Sequence, residues 1–163
     1  MRIPIIKIEF QEHIRPSEIQ WFRGVIINLS GHNQLFHNHM DDGFRYVYPK
    51  VQYKLIDGRA AVTGIGESVP YLRHLFSGID SLPCKMGNTF RNLHVASIEE
   101  REEEVGLTDS FHTYRIENWL PLNSRNYKDY CDAEGLIARM VMLEKILTGN
   151  ILSFAKGIGL FFD

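Results

Sequence analysis

Residues 51–66, "VQYKLIDGRAAVTGIG", carry the clearest structural signal in this chain of 163 residues. Across residues 44–56, Val47, Val51, Tyr53 and Leu55 alternate with other residues, a pattern that places them on one face of a β-strand. Asp57-Gly58 is a strong signal for a type I′ turn, and the residues after it supply a return strand. The sequence therefore predicts a β-hairpin here.

Elements on both sides of this hairpin extend the prediction to a whole domain. Upstream, residues 5–11 alternate as a first strand, and residues 16–31 repeat apolar side chains at the three- and four-residue steps of a helix. Downstream, residues 68–78 predict a second helix, and residues 90–98 and 111–119 predict two more strands. The order β-α-β-β-α-β indicates an α+β, ferredoxin-like unit.

Three residues have expected roles in these helices. Ser17 and Ser68 are the candidate N-terminal caps, because their side-chain oxygens can accept from free backbone N–H groups. Gly24 lies inside the first helix, where glycine costs about 1 kcal/mol relative to alanine. We expect close packing against the sheet to explain that glycine.

The C-terminal part has a different pattern. A helix is predicted from about residue 126 to residue 148, followed by "ILSFAKG" and a strand-like ending, "IGLFFD", at residues 158–163. We therefore predict a ferredoxin-like unit over residues 1–107. Residues 108–163 are predicted to form an incomplete second ferredoxin-like unit, consisting of the long helix and the terminal strand.

Composition indicates a globular, cytoplasmic protein. Hydrophobic residues make up 44% of the chain, yet no apolar run reaches the 18 residues that a membrane span needs. The N-terminus lacks the apolar stretch of a signal peptide. The two cysteines, Cys84 and Cys131, have no metal-binding or redox spacing, so we expect free thiols.

Charge is unevenly distributed along the chain. The net charge is −2, but residues 99–109 hold six acids and one base, a net charge of −5. The remaining residues therefore carry 17 bases and 14 acids, a net charge of +3. This distribution permits a nucleic-acid partner without requiring one, because phosphate contacts depend on local bases.

The stretch "LFHNHMDDGFRYVYPKVQYK", residues 35–54, is the candidate functional segment. One interpretation is a metal site, in which His32, His37 and His39 act with the aspartates that follow. The spacing H-x4-H-x-H matches no helix register, however, and lacks the i, i+4 histidine pair that makes such motifs specific. We therefore expect no metal and no cofactor.

A second interpretation is metal-free RNA cleavage. RNA supplies its own nucleophile, the 2′-OH, so the protein needs a base, an acid and a cation near the phosphate. His37 and His39 suit proton transfer, and Arg45 suits phosphate oxygens. Lys50, Lys54 and the aromatics between them can bind RNA as sheet-face RNA binders do. Ordinary loop and strand residues are the remaining interpretation of the same segment.

Three longer segments resemble one protein family. They are "WFRGVIINLSGHNQLFHNH" (residues 21–39), "YPKVQYK" (residues 48–54) and "MLEKILTGNILSFAKGIG" (residues 142–159). They are similar to the CRISPR repeat-processing endoribonucleases of the RAMP superfamily, in the short form of the Bacteroidetes type. The resemblance implies tandem ferredoxin-like units, a role in antiviral defence, and a metal-independent hydrolase-type cut that leaves a 2′,3′-cyclic phosphate.

The resemblance also implies roles for individual residues. It places the catalytic histidine at His37, with His39 as the neighbouring candidate. The tyrosine that some members carry on the first helix falls near Ile27, which cannot serve, and their lysine falls near Arg45. Arg45 is therefore expected to supply the cation.

The implied partner is CRISPR repeat RNA, and a homodimer is a further expectation. Lys50, Lys54 and Arg59 would hold the RNA backbone, with Arg23 as another phosphate contact. The glycine-rich loop of the family is not matched by "KGIG" at residues 156–159. The resemblance thus implies that most of the second unit is lacking. A non-catalytic RNA-binding module and a dimeric interaction domain remain alternatives to the enzyme.

Overall fold

The computed structural model describes residues 1–31, 33–36, 39–40, 43–44, 48–116, 119 and 121–161. The chain divides into two compact units, Met1–Val105 and Gly106–Asp163. Each unit is described below by itself.

The first unit is built on a five-stranded antiparallel sheet with the order β4-β5-β1-β7-β6. Two helices connect its strands, and a short separate hairpin lies between α1 and β4. The bounds are β1 Arg2–His13, α1 Ile19–Leu29, β2 His39–Met40, β3 Gly43–Phe44, β4 Val51–Ile56, β5 Arg59–Ile65, α2 Val69–Leu75, β6 Ser81–Met86 and β7 Thr89–Glu104. Single 3-10 turns cover Pro16–Glu18, Gln34–Phe36 and Gly66–Ser68.

The core of this unit lies between the helices and one face of the sheet. The ring of Phe10 on β1 meets the ring of Phe22 on α1 edge to face, with centroids 5.3 Å apart. The ring of Phe76, just after α2, also packs against the Phe10 ring, with centroids 6.0 Å apart. Ile6 and Ile8 are fully buried beside Phe10, as the alternation in residues 5–11 predicts. Edge-to-face aromatic pairs add stability beyond their area burial.

The β4–β5 hairpin confirms the hairpin predicted around Asp57-Gly58, but β4 begins at Val51, and the described residues 48–50 before it are not strand as predicted. Asp57 and Gly58 both have positive φ, 50° and 77°, as a type I′ turn requires. Val51 belongs to the buried core, and Tyr53 and Leu55 pack against it. The order of the elements along the chain and the sheet order β4-β5-β1-β7-β6 confirm the α+β, ferredoxin-like class for the first unit.

The last two strands of this unit differ from the prediction. Residues 90–98 are a strand as predicted, but β7 continues through the acidic residues to Glu104. It pairs with β1 on one side and with the unpredicted strand β6 on the other. The strand predicted at residues 111–119 is wrong for the described residues 111–116 and 119, which have no regular structure.

Helix starts in this unit also differ from the prediction, because neither the Ser17 nor the Ser68 side chain accepts a capping hydrogen bond from the following helix. The buried carboxylate of Glu18 replaces Ser17 in this role. Its Oε2 accepts from the backbone N–H of Arg15 at 2.8 Å, and its Oε1 accepts from the Arg15 guanidinium at 3.0 Å. The Arg91 guanidinium lies 3.6 Å from the same oxygen. Hydrogen bonds from Arg15 lower the pKa of Glu18 to about 2.

The second unit contains two helices in its described part, α3 Ser124–Asp132 and α4 Gly135–Gly157. The single helix predicted over residues 126–148 is therefore interrupted at residues 133–134 and extends further along the chain. The Asn123 side chain caps α3 by accepting from the N–H groups of Arg125 and Asn126 at 3.0 and 2.9 Å. Asparagine is a preferred residue at this position.

The segment "KGIG" ends α4 and does not introduce a strand. Gly159 has a φ of +85°, and the N–H of Leu160 donates to the carbonyl of Ala155 at 2.8 Å. The N–H of Gly159 donates to the carbonyl of Lys156, which completes a Schellman motif. The predicted terminal strand is wrong for residues 158–161, and residues 162–163 lie outside the described part. The assignment of residues 108–163 to an incomplete ferredoxin-like unit stays a prediction.

Candidate functional site

A cavity of about 360 Å³ lies along β4, an edge strand of the five-stranded sheet. We call it the β4 cleft. Its walls come from three parts of the first unit: α1, the turn Gln34–Phe36, and the residues that enter and form β4. Among the lining residues are Arg23, Leu35, Phe36, Pro49, Tyr53 and Lys54. Two residues predicted to bind RNA, Arg23 and Lys54, are thus brought together although they are far apart in sequence.

Tyr53 fixes the inner wall of the β4 cleft. Its hydroxyl donates to the carbonyl of Phe36 at 3.1 Å, and its ring meets Phe22 edge to face at 6.1 Å. The Arg23 guanidinium lies 5.9 Å from the centre of the Tyr53 ring, within cation–π range. Burial raises the pKa of Tyr53 well above its usual value. This tyrosine is therefore a neutral structural group, and its core-facing ring is not the exposed stacking surface that the sequence suggested.

Lys54 supplies a second cation at the rim of the β4 cleft. It follows Tyr53 and so points to the opposite face of the sheet, where it also borders a smaller cavity of about 250 Å³. Lys7, Glu99 and Arg101 line that second cavity. Partial burial lowers the pKa of Lys54. An anion bound beside the Lys54 ammonium would offset the free-energy cost of its desolvation.

The backbone of Lys50 is held at the start of β4. Its carbonyl accepts from the N–H of Ile65 at 2.9 Å and from the hydroxyl of Ser68 at 3.0 Å. Ser68 is fully buried, so this contact joins β4 to the turn before α2. The sequence predicted a cap at Ser68 and missed this role.

Arg59 lies at the other end of the hairpin. It is the first residue of β5 and pairs with Ile56, the last residue of β4. A strand of six residues spans about 20 Å, so Arg59 lies well away from Lys50 at the start of β4. The predicted RNA-binding residues are therefore spread along the hairpin, and Arg59 is not among the residues lining the β4 cleft.

The predicted catalytic residues His37 and Arg45 lie outside the described residues. The structure describes only the backbone of His39, which begins β2 and pairs with Phe44 of β3. The described chain before His37 ends at Phe36, in the wall of the β4 cleft. In the part of the chain that the structure describes, no three His, Cys, Asp or Glu side chains are grouped for a metal ion.

Much of the acidic block is paired with bases from the rest of the chain. Lys7 Nζ lies 3.0 Å from a Glu99 carboxylate oxygen, and hydrogen bonds from Glu99 and Glu9 raise the pKa of Lys7. Two further pairs with bases outside the block are Arg2–Glu102 and Arg73–Glu100, and Arg101–Glu103 is a pair within the block. The net charge of +3 outside residues 99–109 therefore overstates the positive charge available to a phosphate backbone.

Sequence reasoning missed the β6–β7 hairpin, although a signal for it is present. Gly87-Asn88 stands between two alternating runs, which is a recognised hairpin pattern. Gly87 has a φ of +63° and lies under the ring of Trp21 on α1. Across the described residues, no helix is long and apolar enough to cross a lipid bilayer.

Comparison with known families identifies the group to which the chain belongs. The family model of the Cas6b N-terminal domain matches residues 1–104, and that of the Cas6b C-terminal domain matches residues 106–163. The chain belongs to the Cas6b family. The resemblance to CRISPR repeat-processing endoribonucleases noted in the sequence is thus confirmed at the level of the family.

Two solved structures are similar to this Cas6b family member over its whole length. One, a crystal structure of Cas6b, has a TM-score of 0.80 and 25% identity, and the match covers 75% of that chain. The other, a CRISPR RNA processing endoribonuclease Cas6b, has a TM-score of 0.66, and the match covers 72% of that chain. At 21% identity, this second likeness supports the fold alone.

One curated relative is similar over a shorter segment. An uncharacterised protein of Methanocaldococcus jannaschii is 42% identical over 57 residues. The match covers 33% of this chain and 37% of that protein, so it spans little more than a third of the relative.

Proposed function

We propose that this Cas6b family member is a metal-independent endoribonuclease that cuts CRISPR repeat RNA. The observation that carries the proposal is the β4 cleft, where Arg23 lines the wall, Lys54 lies at the rim and Phe36 directly precedes His37 in the chain. A cationic cavity beside a histidine-bearing segment has the residue types that phosphodiester cleavage requires. One solved Cas6b similar to this chain is described as a CRISPR RNA processing endoribonuclease, which agrees with this assignment.

The proposed reaction is attack of the RNA 2′-oxygen on the adjacent phosphorus. The bond from phosphorus to the 5′-oxygen breaks, which leaves a 2′,3′-cyclic phosphate and a free 5′-hydroxyl. His37 transfers a proton in this step, because an imidazole titrates close to neutral pH and can serve as base or acid. His39 assists the second proton transfer. Arg45 stabilises the additional negative charge on the phosphate in the transition state.

Binding of the RNA backbone is assigned to residues of the β4–β5 hairpin and α1. Arg23 offers a planar fork that fits phosphate oxygens, and its guanidinium lies 5.9 Å from the centre of the Tyr53 ring, within cation–π range. Lys50, before the start of β4, and Lys54, nearer the turn, neutralise further phosphates along the hairpin. Arg59 extends the track toward the turn. Tyr53 acts indirectly, since it holds the carbonyl of Phe36.

Cleavage of the cognate repeat RNA in EDTA tests the reaction. The wild-type chain should give one discrete cut on a denaturing gel, and His37→Ala should slow that cut by about 10²- to 10⁴-fold. His74→Ala is the matched control, because His74 is an exposed histidine on α2. Equal rates for wild type and His37→Ala, or loss of wild-type cleavage in EDTA, would reject the proposed mechanism.

Binding of the same RNA tests the β4 cleft separately. Arg23→Ala and Lys54→Gln should each weaken the affinity, and Arg23→Lys should restore only part of the loss, because lysine lacks the planar fork. RNA that shifts on a native gel without being cut would instead indicate a non-catalytic RNA-binding module. Unchanged affinity in both variants would remove the β4 cleft from the proposed interface.

Two further expectations belong to this proposal. We place the activity in the cytoplasm, where repeat transcripts are made. A homodimer stays a prediction, and sedimentation of the full chain with and without RNA would test it.

A further inference from the structure

The β6–β7 hairpin has an outward face with a distinct composition. Alternate residues of β6, namely Leu82, Cys84 and Met86, are buried in the core. The residues between them point the other way and pair across the hairpin with alternate residues of β7. We call this outward surface the hairpin platform: Ser81, Pro83 and Lys85 of β6, opposite His94, Asn92 and Phe90 of β7.

Phe90 is the most prominent residue of the hairpin platform. Its side chain is 76% exposed, so this large aromatic residue contributes little to the packing of the core. Lys85, its cross-strand partner, holds Nζ 5.8 Å from the centre of the Phe90 ring. An exposed aromatic ring beside a lysine is the combination that binds single-stranded nucleic acid, with the ring stacking on a base and the ammonium near a phosphate.

The charge of the hairpin agrees with an anionic partner. Residues 81–94 contain no aspartate or glutamate, although the whole chain has a net charge of −2, and Lys85 supplies the positive charge of the platform face. The other base of this stretch, Arg91, alternates with the platform residues and lies 3.6 Å from the Glu18 carboxylate. One carboxylate approaches the platform at its far end. Glu12 accepts from the backbone N–H of His94 at 2.7 Å and lies 2.6 Å from His94 Nδ1. The positive end of the platform is therefore the end with Lys85 and Phe90.

The hairpin platform is also held in place by the fold. A Cβ at Gly87, in the turn, would lie 3.1 Å from Cη2 of Trp21, so the turn packs directly on α1. Cys84 and Leu93 are fully buried beneath the platform. A preformed surface loses little conformational entropy on binding, which favours affinity from few contacts.

We infer that the hairpin platform binds single-stranded RNA, with one base stacked on Phe90 and Lys85 on the neighbouring phosphate. Lys85 has a flexible four-carbon stem, so its ammonium can leave the ring for the phosphate as the base stacks. The amide of Asn92 offers both donors and an acceptor to a base edge. This inference rests on the proposed function, since the RNA is taken to be a single-stranded part of the same transcript.

The platform is distinct from the β4 cleft. β4 and β6 are opposite edges of the sheet, four strand spacings apart, or about 19 Å. A transcript bound at both places would need several nucleotides between them. The hairpin platform would thus hold RNA away from the cut and contribute to affinity without taking part in the reaction.

Binding of a short labelled RNA tests the platform directly. We would measure the fluorescence anisotropy of a fluorescein-labelled oligoadenylate of about eight nucleotides, a usual site size, with the full chain. Phe90→Ala should weaken binding about tenfold, as expected for loss of one stacked base, and Phe90→Trp should retain it. Tyr71→Ala is the matched control, since Tyr71 is a half-exposed aromatic residue on α2 of the same unit.

The outcomes separate this inference from the proposed function. If the wild-type chain cuts repeat RNA but Phe90→Ala binds the oligoadenylate as wild type does, the platform is wrong and the nuclease assignment stands. If Phe90→Ala loses oligoadenylate binding while wild type cuts no repeat, the platform stands and the nuclease assignment is wrong. Equal losses in Tyr71→Ala and Phe90→Ala, or no oligoadenylate binding by wild type, overturn the platform.

Discussion

Replacing Gly64 with alanine would place a methyl group in space that three side chains already fill. A Cβ at this position would lie 2.5 Å from Leu72 Cδ1 and 2.9 Å from both Ile6 Cγ2 and Ser68 Oγ. Favourable contacts between carbon atoms lie at about 3.5–4.0 Å. Leu72, Ile6 and Ser68 are all fully buried, so none has an empty volume to move into.

The size of the effect follows from two opposing terms. Overpacking of a well-filled core costs about 3 kcal/mol at the upper end of its usual range. Alanine also restricts the unfolded chain, which offsets about 0.5–1 kcal/mol of that loss. Gly64→Ala should therefore lower the free energy of unfolding by about 2 kcal/mol. For a unit of this size, that loss should lower the melting temperature by about 10 °C.

Thermal unfolding followed by tryptophan fluorescence would measure this change in the first unit. The chain has two tryptophans, so a Trp119→Phe background leaves Trp21 on α1 as the reporter. Gly24→Ala is the matched control, because a Cβ at Gly24 meets nothing within 4 Å and α1 should become about 1 kcal/mol more stable. A melting temperature for Gly64→Ala equal to or above that of the parent would refute the packing argument.

Three further substitutions test other contacts. Glu18→Gln should lower the free energy of unfolding above pH 4.5, because the depressed pKa of Glu18 means that its charged form stabilises the folded protein. In urea unfolding, the difference between Glu18→Gln and wild type should shrink as the pH falls toward about 2, because protonation of Glu18 removes that stability. Tyr53→Phe should cost about 1 kcal/mol in urea unfolding through loss of the bond to Phe36, and an unchanged midpoint would contradict that bond. Gly159→Ala should lower the free energy of unfolding, measured by circular dichroism, by about 1 kcal/mol, because the φ of Gly159 is +85°. Gly149→Ala, inside α4, should raise that free energy by a similar amount.

Local signals explain which elements the sequence predicts correctly. The β4–β5 hairpin depends on Asp57-Gly58, whose backbone angles are set by the turn itself, and on alternation that any nearby core would satisfy. The acidic end of β7 has low strand propensity, so the sequence favoured a loop there. Pairing with β1 and ion pairs such as Lys7–Glu99 override that propensity, and neither is visible before the fold is known.

The candidate site likewise combines residues that the sequence predicts with contacts that only the fold reveals. Arg23 and Lys54 were predicted to bind RNA from their residue type alone, and the fold brings both to the β4 cleft. The role of Ser68 depends on a carbonyl 18 residues away, at Lys50, which no local pattern reveals. Gly24 was expected to allow close packing, but nothing lies within 4 Å of a Cβ there, so that expectation is wrong.

The continuity of β7 gives the first unit an electric dipole along a single strand. The strand begins in the hairpin of residues 81–94, which has two bases and no acid, and ends in residues 99–104, which have five acids and one base. Sixteen residues of strand separate these ends by about 50 Å. Ion pairs of Glu99, Glu100, Glu102 and Glu103 with neighbouring bases reduce the difference in charge between the two ends. A polyanion approaching by diffusion would still be turned toward the Phe90 end, and its association rate should fall moderately as ionic strength rises.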